Sequence, residues 1–192
     1  MTNKIQEANL AMVVSKTFSG LNVNALRYLL PLWIAPLNGV TFRCVFAAVA
    51  FWIIGYWAKP ETASVKDKIY LFLLGAVGIY GYMFSYLMGL SKTTPVSAAI
   101  FTSMQPIWVF ILSVFFFNEK ATVMKIVGIL VGLGGALLCI STQKSDDLAS
   151  DAFSGNLFCL VSSVIYAVYL ILSNRFLRRT GPYTLMRYTF SG

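Results

Sequence analysis

The chain has no histidine, only seven acidic residues and only three cysteines in 192 positions. Without histidine it lacks the commonest general base and metal ligand. The cysteines, Cys44, Cys139 and Cys159, are too few and too deep within apolar runs to form a disulfide framework, and they read as packing residues. All seven acids (Glu7, Glu61, Asp67, Glu119, Asp146, Asp147 and Asp151) fall at the ends of apolar runs or between them. A buried carboxylate that could relay protons or hold sodium is therefore missing. So are a phosphate-cradling glycine loop, a zinc-ligand set and a nucleophile–base pair. These gaps argue against an ATP-driven pump and against an enzyme, and they call for no cofactor or metal.

Charge is scarce as well. Charged residues make up 11% of the chain and hydrophobic residues 58%, whereas a soluble domain carries about 25% charged residues. Apolar runs take up the difference: Asn9–Pro31, Leu37–Trp57, Ile69–Leu90, Pro95–Phe117, Val123–Ile140 and Gly155–Leu177. Each is about 18–25 residues long, enough for a helix to cross a hydrocarbon core. Only helices and closed barrels satisfy their backbone groups in lipid, and no run alternates with period two. The expectation is an all-α polytopic membrane protein with six full transmembrane helices and the start of a seventh.

The net charge of +8 then describes orientation rather than nucleic-acid binding. With the N-terminus cytoplasmic, the inside segments hold Lys4, Lys59, Lys66, Lys68, Lys120, Lys125, Arg175, Arg178 and Arg179, and the outside loops hold only Lys92 and Lys144. This is a positive-inside distribution. The first run is too long for a signal peptide and contains Lys16 and Arg27. The expected location is the cell inner membrane.

Asn9-Leu10 opens the first run as Asn156-Leu157 opens the sixth. In the same order Pro36 falls near Pro182, and Phe42-Arg43 near Met186-Arg187. The two copies are five runs apart, so the second enters the membrane from the opposite side, as in inverted-repeat transporters. The expected organisation is a five-helix repeat over 1–142, an external polar linker over 143–154 and the incomplete start of an inverted repeat over 155–192. The chain stops at Phe190-Ser191-Gly192, inside the expected seventh span, and reads as a truncated product or a fragment.

Several stretches resemble the EamA-type transporters of the drug/metabolite transporter superfamily. They are Gly20-Leu21-Asn22-Val23-Asn24-Ala25-Leu26-Arg27, Pro36 with Phe42-Arg43, and the ordered series Gly89-Leu90, Thr93, Ala98, Pro106, Glu119, Gly128, Gly132 and Gly135. Ser19 stands where the family usually has tryptophan. The resemblance implies ten helices in two inverted five-helix repeats around a cavity for small metabolites.

Polar groups within a membrane usually face the bundle interior. Lys16, Gly20, Asn24 and Arg27 share one face of the first helix, and Ser15, Ser19 and Asn22 form a stripe beside it. The two cations read either as cavity walls or as snorkelling side chains. Arg43 suits an anionic substrate group or a structural fork to carbonyls. On the third run Gly75, Gly78 and Gly89 read as packing positions, with Tyr82 and Ser85 as candidate contacts. Pro106 removes a backbone hydrogen bond and frees the Thr102 carbonyl beside Gln105, which makes a hinge or part of a site. Glu119 reads as a cytoplasmic latch or gate. Gly128, Gly132 and Gly135 read as a helix-packing face, within the fold or in a homodimer.

The expected substrate contacts are thus Asn22, Asn24, Arg27, Arg43, Tyr82, Ser85, Thr102 and Gln105. The expected activity is secondary transport of a small polar or amphipathic metabolite by alternating access, in the direction of efflux. The partners are that metabolite and the lipid bilayer. A non-transporting membrane subunit, or an inactive half of such a transporter, is the alternative.

Overall fold

The computed structural model describes residues 2–30, 33–57, 61, 63–117, 122–142 and 151–192. Among these residues there is no strand. The helical segments are α1 (Thr2–Leu29), α2 (Pro36–Trp57), α3 (Val65–Lys92), α4 (Pro95–Phe117), α5 (Val123–Thr142), α6 (Ala152–Thr180) and α7 (Pro182–Ser191).

Local chemistry explains where they begin and end. Thr94 caps α4, its hydroxyl accepting from Ser97 N–H at 3.2 Å, and Pro95 sits in the first turn, where no N–H is needed. Asp151 caps α6 in the same way, accepting from Ser154 N–H at 3.2 Å. Hydrogen bonding from Ser154 holds the Asp151 carboxyl below its ordinary range. Gly181 ends α6 at φ +82°, a conformation that disfavours a side chain, and Pro182 then starts α7.

Two helices are irregular. α3 contains a π-helical turn over Gly75–Tyr80, a feature that often marks functional helices. α4 breaks at Met104, two residues before Pro106. There Met104 N–H is shared between the Ile100 and Phe101 carbonyls at 3.2 Å each, and Ile107 N–H closes a tight turn on Met104.

Length and apolarity alone qualify α2, α3, α4 and α6 to cross a membrane. The sequence reading counts six such helices. α1 is 28 residues long, but Lys4, Glu7, Lys16, Arg27 and its serine–asparagine stripe lower its apolarity. The described apolar part of α5 is short, Val123–Gly135. α3 also starts earlier than its apolar run, because Lys66, Asp67 and Lys68 belong to its first turns.

α3 and α6 form the centre and run antiparallel. At one end the Thr93 hydroxyl donates to Asn156 Oδ1 at 2.7 Å. At the other, Arg179 lies 4.0 Å from Asp67. Close approach is possible because a Cβ on Gly89 would lie 2.8 Å from the Gly155 carbonyl oxygen. Val40, Tyr86, Leu87, Leu90, Ala98 and Cys159 form the buried core. Phe46, Phe115 and Val131 face outward, an apolar exterior suited to lipid. α7 lies along α2: Phe51 stacks on Phe190 at 5.4 Å, and the Arg187 guanidinium lies 4.2 Å above the Trp52 ring.

Candidate functional site

The polar stripe of α1 borders a cavity of about 640 Å³ whose other walls are α2, α3 and α4. α1 supplies Ser15, Lys16, Ser19 and Asn22, α2 supplies Arg43, α3 supplies Tyr82 and Tyr86, and α4 supplies Thr102 and Ser103. Two cations thus face the space, and among the described residues no acid lines it.

The hydroxyls and the amide have complementary roles. Thr102 Oγ1 donates to the Ala98 carbonyl at 2.8 Å and Ser103 Oγ to the Ala99 carbonyl at 2.9 Å. Their protons are engaged, so they offer lone pairs to the cavity. Lys16, Arg43 and the Asn22 amide are donors in the same lining. The Gln105 side chain lies beside the Tyr82 hydroxyl, which brings the wall of α3 next to the turn beside the α4 break. The Tyr82 ring also stacks on Tyr86 at 6.2 Å and meets Tyr166 of α6 at 4.6 Å, tilted by 38°.

Of the residues expected at the site, Asn22, Arg43, Tyr82 and Thr102 line this cavity, and Gln105 stands behind Tyr82. Asn24 does not line it; its amide donates back to the Gly20 carbonyl at 3.2 Å on an exposed face of α1. Ser85 is buried rather than cavity-lining. The side chain of Arg27 and the whole of Glu119 lie outside the described residues. Pro106 is exposed next to the break. Among the described residues, a Cβ on Gly128 or Gly135 would meet nothing within 4 Å, and one on Gly132 only Ile107 at 3.7 Å.

Ser103, Tyr166 and Glu61 are important residues outside the expected set. Ser103 is adjacent to Thr102 and follows from the same turn. Tyr166 and Glu61 act across long sequence separations, and nothing in their local sequence marks them.

Residues 6–141 match the EamA-like transporter family, and the chain belongs to that family. It is similar to an uncharacterized transporter, YyaM, of Bacillus subtilis (strain 168), at 26% identity over 175 residues, covering 90% of this chain and 57% of the relative. An uncharacterized transporter of Archaeoglobus fulgidus is 28% identical over 180 residues, covering 92% of this chain and 60% of the relative. An aromatic amino acid exporter, YddG, of Ancylobacter novellus is 28% identical over 105 residues, covering 54% of this chain and 37% of the relative. The chain therefore spans somewhat more than half the length of the first two relatives. One solved crystal structure shares the fold at a TM-score of 0.57 and 19% identity, covering 93% of this chain and 64% of that one. The family, its transporter relatives and the apolar helices together define a multi-pass membrane protein of a transporter family.

Proposed function

We propose that this chain forms the cavity-bearing part of a secondary transporter that exports a small polar or amphipathic metabolite with an anionic group across the inner membrane. The observation that carries this reading is the pairing of Lys16 and Arg43 in one cavity with amide and hydroxyl groups and, among the described residues, no lining acid. A guanidinium and an ammonium in a low-dielectric setting favour a carboxylate or phosphate. Tyr82 and Tyr86 give the substrate's apolar part a flat wall.

In this reading the N-terminus is cytoplasmic, as the lysine and arginine distribution supports, and α1 crosses the bilayer with its polar stripe turned to the cavity. Residues 1–142 act as one repeat, 143–154 as an external linker and 155–192 as the start of the inverted copy. The antiparallel pairing of α3 with α6 is consistent with that arrangement. Alternating access works by rocking one bundle against the other around the cavity, with the Met104–Pro106 break as the hinge in α4. Export is also the activity named for the Ancylobacter novellus relative.

The test is transport of a panel of radiolabelled small carboxylates into proteoliposomes holding the complete protein. N22A and R43A should each slow the initial rate at least about tenfold, the scale of a lost charge-assisted contact. N24A, outside the cavity, should leave it within about twofold. Unchanged rates in N22A and R43A would overturn the assignment.

A further inference from the structure

A second cavity, of about 550 Å³, lies between α4 and α6. Val109, Ser113 and Phe117 form one wall, each four residues from the next, so they share a single face of α4. On α6, Leu170, Asn174 and Arg178 repeat the same spacing, with Arg175 beside them. Val109, Phe117, Leu170 and Ile171 are its apolar lining, and Ser113, Asn174, Arg175 and Arg178 its polar and cationic lining.

Its position relates it to the first cavity. Thr102 and Ser103 line the first on one side of the Met104 break, and Val109 and Ser113 line the second on the other. The tyrosine contact connects the two: Tyr82 lines the first cavity and its ring lies 4.6 Å from that of Tyr166, tilted by 38°, and Tyr166 sits one helical turn before Leu170 of the second. The arginines of this helix end divide their roles. Arg179 approaches Asp67 at 4.0 Å, whereas Arg175 and Arg178 face the cavity.

We infer that the α4–α6 cavity is a second anion-binding site, in series with the first beyond the Tyr82–Tyr166 contact, and that Arg175, Arg178 and Asn174 hold a carboxylate or phosphate there while its apolar part lies against Val109 and Leu170. This rests on the transport reading given above. Two guanidiniums and a carboxamide provide several N–H donors for an oxyanion. The tyrosine pair and the break in α4 separate the sites, so an anion leaving one meets the other after a single rearrangement.

Binding tests this directly, without transport. The complete protein carrying R43A, which weakens the first site, is titrated with sodium benzoate and with inorganic phosphate at constant ionic strength, and its melting temperature is followed. A saturable rise in melting temperature is expected. R175A/R178A should weaken the apparent affinity at least about tenfold, and R175K/R178K by less than that, because charge is kept while the fork is lost. The lysine variant also separates binding from folding defects.

The titration is repeated in nanodiscs of phosphatidylcholine, with and without phosphatidylglycerol. Stabilisation by phosphatidylglycerol alone, with neither soluble anion acting, would assign the arginines to a lipid headgroup and overturn the site. So would an affinity unchanged in R175A/R178A, or no saturable effect of either anion. Loss of transport in N22A alongside such a result would leave the first cavity standing and remove only the second.

Discussion

Glu61 organises more of the structure than any other acid among the described residues. Its carboxylate accepts from Tyr183 N–H at 3.3 Å and from Thr184 N–H at 2.7 Å. These are orphan donors of the first turn of α7, where Pro182 offers none. Gly181 belongs to the same device, since a side chain there would strain its positive φ and collide with the Glu61 carboxylate. Glu61→Ala should therefore destabilise the protein by about 1–2 kcal/mol, the scale of a lost helix cap, measured as a lower melting temperature in detergent. Glu61→Gln keeps an acceptor and should lose less; equal losses would argue against the cap. The polar stripes of α1 are readable from spacing, yet spacing alone does not select which stripe faces inward. Asn22 and Asn24 are both plausible from sequence. Only the position of α1 relative to α2 and α4 separates them, because rotation about a helix axis is fixed by its neighbours.

The elements differ most in how their glycines are used. Gly89 packs against backbone, with the Cys159 N–H and the Gly155 carbonyl both within 3 Å of a hypothetical Cβ. Gly128 has open space. Gly89→Ala should cost about 1–3 kcal/mol by overpacking, whereas Gly128→Ala should be neutral or stabilising by up to about 1 kcal/mol through helix propensity. Unfolding midpoints of the two variants decide the point, and equal midpoints would contradict the packing. Element-level features follow sequence closely where chemistry is local. Pro106 announces the α4 break, Thr94-Pro95 announces its start, and Gly181-Pro182 separates α6 from α7. Helix lengths follow less closely: the charged first turns of α3 and the last turns of α6 lie outside the apolar runs, since apolarity records the hydrocarbon core and not the polar turns at its edges.

At the scale of the molecule, the antiparallel α3–α6 pair gives a threading that can be tested. The starts of these helices lie at opposite ends of the bundle, one near Arg179 and the other near Thr93. Cysteines introduced at Lys66 and Ser154 should therefore react with a membrane-impermeant thiol reagent from opposite faces of sealed vesicles; labelling from one face would refute it. The overall plan of helices was legible because composition and run length bear directly on membrane insertion. The pairing of Tyr82 with Tyr166, and of Glu61 with Thr184, was not. Such contacts depend on how distant helices meet, and neither partner differs locally from an ordinary interfacial tyrosine or loop acid.

The Glu61 cap has a bearing on how the chain is made. The acceptor precedes Thr184 by 123 residues, so at ~5–20 residues per second it reaches the membrane surface about 6–25 s before the amides it serves. Ribosomal order thus has the carboxylate ready when α7 emerges. A C-terminal piece translated by itself, or a circular permutant that reversed the order, would present those amides bare at the headgroup layer, and supplying the N-terminal piece in trans should rescue its insertion.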